Sequence, residues 1–402
     1  MGLSPARVAA AAARRLEVAQ GALERLCSEE YAGRRVGTEG HDRAQRWLLD
    51  QLAASGYATR LLKFDAPDVQ VLDLWAPPTL AVLNGGERHL THRVEFVENP
   101  RSAPAAEPRS GMARASLGEL SAGEWLAAPQ VDDLESLAAR LAPKDVLGIL
   151  VPVRAGGTGF FAKRVSSAPV AALPIVAVRS DLLPALEGKV VRAQVPVRRI
   201  ALQGANVIGM LAGTDPALAH APLLVGAHYD GVGDDPELHR IPGAGDNAAG
   251  VAVVFQVAAA LAGLHRRPRR PLLIAAFDAE EVGAIGSRVY AQELRAQGLE
   301  PLVINVDGAA RFNDAVWVEA SANADPIVSA LDQAGRDLEI PLVLGPVASD
   351  NRRYAGAGFP AVGVALGVRG EHTPDDRLEN VDANAMAVAL RLLAAVIWQL
   401  AF

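Results

Sequence analysis

Short apolar runs, unbroken by polar residues, recur through the second half of the chain: Leu223–Ala227, Leu272–Phe277, Leu302–Val306 and Ala361–Leu366. Continuous apolarity predicts strands buried on both faces, because a half-exposed strand would alternate. Between these runs apolar residues fall at three- and four-residue spacing. That spacing predicts helices over Ala248–Leu264, Ile285–Gln297, Pro326–Leu338 and Ala383–Leu400. Strands alternating with helices predict a mostly parallel sheet covered on both faces. The same periodicity predicts helices over residues 5–28 and 40–56, joined by a turn that holds Gly33, Arg34, Arg35 and Gly37.

Residues 66–200 have another texture. Val69–Leu74, Val146–Val153 and Leu173–Val178 are β-branched runs set among Pro, Gly and Ala. Asn99–Ser110, with Pro100, Pro104 and Pro108, reads as a loop. The predicted fold class is therefore α/β: a mostly parallel, mixed central sheet flanked by helices, built from 1–65 and 201–402. A small β-rich domain, 66–200, is inserted in it.

Composition narrows the function classes. Half of the 402 residues are hydrophobic, enough for a large core, and the net charge is −7. Nucleic-acid-binding domains are usually strongly basic, and the sparse aromatics form no stacking stripe, so no nucleic-acid partner is expected. Arg266–Arg270 is a short basic run that reads as a solvated loop. The single cysteine, Cys27, excludes an internal disulfide and a thiolate metal cluster. Arg14 and Arg15 interrupt the Ala-rich start, which does not read as a signal peptide. Ala248–Leu264 and Val388–Phe402, the longest apolar stretches, fall short of the ~20 residues of a membrane span and read as buried helices. A cytoplasmic protein is the expectation.

The polar residues just beyond the predicted strands carry the chemistry. The first run leads into His228, Tyr229 and Asp230, the second into Asp278, Glu280 and Glu281, the third into Asp307. Ligands of open α/β sheets bind beyond the carboxyl ends of the strands, so these side chains converge. A Gly-rich loop, Gly243–Gly250, adds Asp246 and Asn247, and Glu371, His372 and Asp375 follow the last strand. Imidazole with carboxylate suits zinc, manganese or cobalt. Five ligands exceed the needs of one tetrahedral zinc but suit two metals about 3.5–4 Å apart. Of the adjacent Glu280 and Glu281, one can ligate while the other acts as a general base. Blander roles exist: Asp246 or Asn247 as a helix cap, the Glu pair as a favourable first helical turn, His372 as part of an ordinary turn. Asp307 resists such a reading, because an unpaired buried carboxylate is costly. Asp375, Asp376 and Glu379 read as solvent-facing charges, and His239 and His265 as surface residues without partners.

The strings GAHYDGVG (226–233), GAGDNAAG (243–250), FDAEEVGAIGS (277–287), NVDG (305–308), SDN (349–351) and EHTPDDRLENVD (371–382) together resemble the M28 metallopeptidases, the co-catalytic dizinc aminopeptidases. The likeness is dense over 201–402 and extends to 24–63; 66–200 more weakly resembles a protease-associated domain, through GILVPVRAGGTG and LPIVAVRSDLLPAL. The resemblance implies a zinc-exopeptidase (phosphorylase/hydrolase-like) fold, a peptide substrate and two zinc ions, with cobalt or manganese as substitutes. It assigns His228 and Asp307 to one metal, Glu281 and His372 to the other, and Asp246 to both. Glu280 would be the general base, Asp230 would hold the second ring nitrogen of His228, and the Asp246–Asn247 peptide would be cis. An aminopeptidase is the first expectation.

This chain departs from the family at three places. The loop between His228 and Asp246 is long and carries Asp234, Asp235, Glu237 and His239. Glu371 stands where some members have a Tyr that helps stabilise the oxyanion, and SDN replaces the usual SDH. A carboxypeptidase or amidohydrolase would need a cation for the substrate carboxylate, and Arg352, Arg353 and Arg369 are near in sequence. A glutaminyl cyclase fits less well, since it works with one zinc, and a non-catalytic binding protein would have eroded ligands.

Overall fold

The computed structural model describes residues 4–128, 131–165 and 169–402. The chain forms two compact units. The first comprises Met1–Ala66, Leu202–Asp234 and Arg240–Phe402; the second comprises Pro67–Ala201 and the short excursion Asp235–His239. The expected insert, 66–200, does not include the excursion.

The first unit is built on a sheet of eight strands: β1 (Ala58–Leu74), β2 (Val197–Leu211), β3 (Leu223–His228), β4 (Leu272–Phe277), β5 (Leu302–Val306), β6 (Val316–Ala320), β7 (Leu342–Leu344) and β8 (Ala361–Ala365). Their order is β1-β2-β4-β3-β5-β8-β6-β7. The centre is parallel, β3 pairing with β4 and β5, and β5 with β8; β2 and β6 pair antiparallel with β4 and β8. The expected α/β class with a mixed, mostly parallel sheet is borne out. Strands β3 and β4 are buried at every position, as continuous apolarity requires. Their register aligns His228 with Phe277, so the chain leaves both strands side by side at their carboxyl ends.

Helices Ala249–Ala262 and Ala383–Ala401 are apolar around most of their circumference and contribute many residues to the main core. By length and composition alone two helical stretches, Ala244–Ala262 and Ala383–Ala401, would suffice to cross a membrane; both are mostly buried within the fold. The helix expected over 5–28 is two helices, Pro5–Ala13 and Leu16–Leu26. At the break Arg15 donates to the Gln256 side chain (2.9 Å), giving that buried amide a partner. The Thr38 hydroxyl caps helix Glu39–Ala54 by accepting from the His41 N–H.

The second unit holds its own eight-stranded sheet, in the order Glu87–His89, Thr79–Leu83, Val190–Val195, Ala105–Arg114, Trp125–Ala127, Gly148–Val153, Ile175–Arg179, Phe96–Glu98. Successive residues of Gly148–Val153, Ile149 and Leu150, enter different apolar clusters, so both faces of this sheet are covered. The loop expected over Asn99–Ser110 is a strand from Ala105 onward. Its register shifts between Ala105 and Arg109, and Pro108 sits in that irregularity, where no ladder N–H is required.

Candidate metal centre

The carboxyl ends of β3, β4 and β5 deliver the first group. His228, the last residue of β3, is fully buried. Its Nδ1 lies 3.2 Å from the backbone carbonyl of Asp230. A proton donated there leaves Nε2 free to bind a cation. Nε2 stands 3.1 Å from Asp246 Oδ1 and 3.4 Å from Asp307 Oδ1, with no hydrogen-bond partner. The second group lies across Asp246: its Oδ2 is 3.0 Å from His372 Nε2, which is also 2.7 Å from Glu281 Oε2. His372 adopts a left-handed backbone (φ 59), and the Asp246–Asn247 peptide is cis.

Potential ligand atoms of His228, Asp246 and Asp307 lie within 4.8 Å of one another; so do those of Asp246, Glu371 and His372. The structure thus brings together all five residues singled out in the sequence as ligands and sets Glu371 beside them, its carboxylate 3.9 Å from His372 Nε2. A buried imidazole nitrogen and a buried Glu281 Oε1 both lack hydrogen-bond partners. Mixed nitrogen and carboxylate donors with no thiolate fit zinc or a metal of similar preference.

Backbone contacts hold these groups in place. The Asp230 carboxylate lies 3.5 Å from His228 Nδ1, but its hydrogen bonds come from the N–H groups of Glu280 (3.0 Å) and Glu281 (3.2 Å). It therefore anchors the acidic turn, while its backbone carbonyl orients the imidazole. Asn247 donates to the Val306 carbonyl (2.8 Å) and accepts from the Gly308 N–H (3.1 Å), gripping the chain on both sides of Asp307. Asp278 is wholly buried and accepts from the Ala205 N–H (2.7 Å) and the Tyr229 hydroxyl (3.2 Å).

Two further acids are buried beside these groups. Asp376, expected to face solvent, is 2 % exposed and accepts from the Gly245 and Asp246 N–H groups. Asp350 is fully buried with no hydrogen-bond partner on either oxygen. Partners of Asp376 are backbone N–H groups, which leave no trace in sequence; the signal available was a second Asp in a Thr-Pro turn beside the Gly-rich loop. His265 is exposed as expected, whereas His239 is half-buried, its Nε2 3.2 Å from the His92 carbonyl within the second unit.

Burial dominates the protonation energetics. It pushes Glu281 up to about 7 against the pull of His372, and raises Glu280 well above the usual carboxylate range against the pull of His228, with Asp350, Asp307 and Glu281 adding to the rise. Burial also pushes Asp350 and Asp376 up to about 7. Asp246 goes the other way: burial opposes its charge, but the His228 and His372 contacts hold its carboxyl far below the ordinary range.

A cleft of about 520 Å³ opens on these groups, lined by Asp246, Glu280, Glu281, Asp307, Glu371 and His372, with Trp317, Pro346, Val347 and Val368 among its apolar walls. No arginine lines it among the described residues. Arg352 is paired with Glu319 (2.7 Å), Arg353 donates to the Gly283 carbonyl (2.8 Å), and Arg369 stands 3.9 Å from Asp375.

The model of peptidase family M28 matches residues 206–397. A probable leucine aminopeptidase of Arthroderma benhamiae is 25% identical over 201 residues, 46% of this chain and 56% of that protein. The chain thus spans little more than half the length of that relative. Among solved structures, a zinc aminopeptidase from Bacillus subtilis superposes with a TM-score of 0.70 at 18% identity, covering 96% of this chain and 95% of that one. A peptidase M28 precursor from Shewanella amazonensis superposes with a TM-score of 0.68 at 19% identity, covering 98% and 96%. At such identity these structures speak for the fold. The match to peptidase family M28 thus covers residues 206–397, the stretch that bears most of the site, and the fold of the solved structures extends over nearly the whole chain.

Proposed function

We propose that the first unit is a zinc-dependent aminopeptidase whose two metal sites share Asp246. His228 and Asp307 would hold one ion, Glu281 and His372 the other. The observation that carries this reading is the placement of Asp246, whose two oxygens face different imidazoles at 3.1 and 3.0 Å. Zinc bound there supplies Lewis acidity, polarising a carbonyl and lowering the pKa of nearby water.

The chain's own groups do the rest. Glu280 takes a proton from the attacking water and passes it to the leaving amine. Burial of its carboxyl raises its proton affinity, which helps it hold the proton between the two transfers. Asp230 holds the backbone of Glu280 and Glu281, fixing the base relative to the ligands. Glu371, the lining carboxylate left over from the metal and base roles, and the lack of a lining arginine among the described residues favour a substrate's free ammonium end over its carboxylate end. Trp317, Pro346, Val347 and Val368 form an apolar wall for the side chain beside that ammonium. The names of the similar proteins, a probable leucine aminopeptidase and a zinc aminopeptidase, support the same reading. The second unit, with its weak likeness to a protease-associated domain, would act on longer peptides rather than on the chemistry.

A substrate panel tests the end specificity. Leucyl anilide should be hydrolysed, N-acetyl-leucyl anilide and peptides blocked at the amino end should not, and chelation should abolish the activity. Hydrolysis of the blocked substrates at equal rate, or release of C-terminal residues, would overturn the aminopeptidase reading.

A further inference from the structure

We propose that Arg34 and Asp376 are positioning residues of the metal centre, which hold the Gly243–Asp246 loop between opposite charges and fix how Asp246 is presented. The inference rests on the reading of Asp246 as a shared metal ligand.

Both side chains are buried, Arg34 completely. Arg34 sends its hydrogen bonds to main-chain carbonyls. Nε donates to Tyr229 (2.8 Å), Nη1 to Leu26 (2.9 Å) and Pro242 (2.6 Å), and Nη2 to Gly243 (2.9 Å). Asp376 answers on the N–H side of the same loop. Oδ1 accepts from Gly245 (2.6 Å), Oδ2 from Asp246 (3.1 Å), and its backbone carbonyl from Ala244 (3.3 Å). Each residue from Pro242 to Asp246 thus has a backbone group held by one or other of these two residues. Gly243 is required here: its φ is +59°, and a Cβ would come within 2.4 Å of the Asp246 carbonyl and 3.0 Å of Arg34 Nη2.

These contacts join the segments that carry the ligands. Tyr229 follows His228, so Arg34 links the end of β3 to the Asp246 loop. Asp376 lies in the turn that begins at His372, its N–H donating to the Thr373 carbonyl (3.0 Å), so it links that turn to the same loop. A guanidinium serves this task because its fork of fixed N–H donors reaches several carbonyls at once, which a lysine ammonium cannot reproduce. Groups that orient metal ligands typically change metal affinity about 10–100-fold when removed.

The test uses the full chain stripped of metal and titrated with cobalt(II) alone, in competition with a chromophoric chelator. Asp376→Asn and Arg34→Lys are each expected to bind cobalt about 10–100-fold more weakly. At saturation both should show a cobalt visible spectrum displaced from that of the unaltered protein, because the ligand geometry has relaxed. Circular dichroism of the metal-free proteins checks the fold, and Arg34→Lys serves where Asp376→Asn does not fold. Unaltered affinity and spectrum in the folded variants would overturn the proposal, as would a loss of thermal stability with both unchanged. If the unaltered protein binds no cobalt, the ligand assignment itself fails, and this inference falls with it.

Discussion

His41 Nε2 lies 2.8 Å from Asp278 Oδ1, joining helix Glu39–Ala54 to the residue that follows β4. Both side chains are buried, and the Tyr229 ring stacks on the imidazole at 5.0 Å. The pair braces the turn that carries Glu280 and Glu281. Burial works against the imidazolium, but the Asp278 carboxylate prevails and holds His41 up to about 9, against 6.5 for a free histidine. A folded-state value above the unfolded one means that the contribution is full below about 6.5 and is lost as pH rises through about 9. The shift corresponds to about 3 kcal/mol at most. The stability difference between the unaltered protein and His41→Gln, from urea unfolding, should therefore shrink as pH goes from 6 to 10. A difference independent of pH would count against a charged His41.

In the proposed mechanism Glu280 is the base and not a ligand. Glu280→Gln should lower kcat by about 10²–10⁴-fold. Metal content, measured on the same sample, should not change. A variant with near-normal turnover would show that another group moves the proton.

Bringing Asp246, Glu281 and Asp307 together in the fold is unfavourable without a cation among them. Metal should bind the folded form alone and raise Tm by mass action, worth about 2.7 kcal/mol at a free concentration a hundred times Kd. Scanning calorimetry of the chelated protein with and without added zinc checks this. Equal Tm values would argue against a metal centre.

The second unit contains a buried charge network that the sequence did not suggest. Arg93 is wholly buried and paired with Glu98 (2.6 Å) and with Asp235 (2.8 Å). Lys163 Nζ lies 3.4 Å from Asp235 and His92 Nε2 2.8 Å from Glu98. Removing one partner of a buried pair leaves a charge uncompensated, so Asp235→Asn should destabilise by about 3–5 kcal/mol. A fall in the urea midpoint measures it. A change of less than about 1 kcal/mol, the size usual for exposed pairs, would show that solvent reaches the network.

What was legible in the sequence follows from where side-chain chemistry is written in the chain. Strands β3, β4 and β5 are buried on both faces, so they stand out as unbroken apolar runs; His228 at the end of β3, and Asp278 and Asp307 just past β4 and β5, mark the sheet edge. Groups that act through the backbone were not legible. Asp376 and Asn247 meet main-chain N–H and C=O groups, and Arg34 meets only carbonyls, so no complementary residue advertises them. Pro108 hid a strand, because the register shift that accommodates it arises only when Ala105–Arg114 is paired. At the helix break Arg15 meets Gln256, a partner far away in sequence.

The most direct test is the metal content of the purified protein, by elemental analysis, before chelation, after it and after re-addition of zinc. Two zinc ions per chain are expected, lost together with leucyl anilide hydrolysis on chelation and regained together with it. A folded protein that takes up no zinc, cobalt or manganese would contradict this expectation.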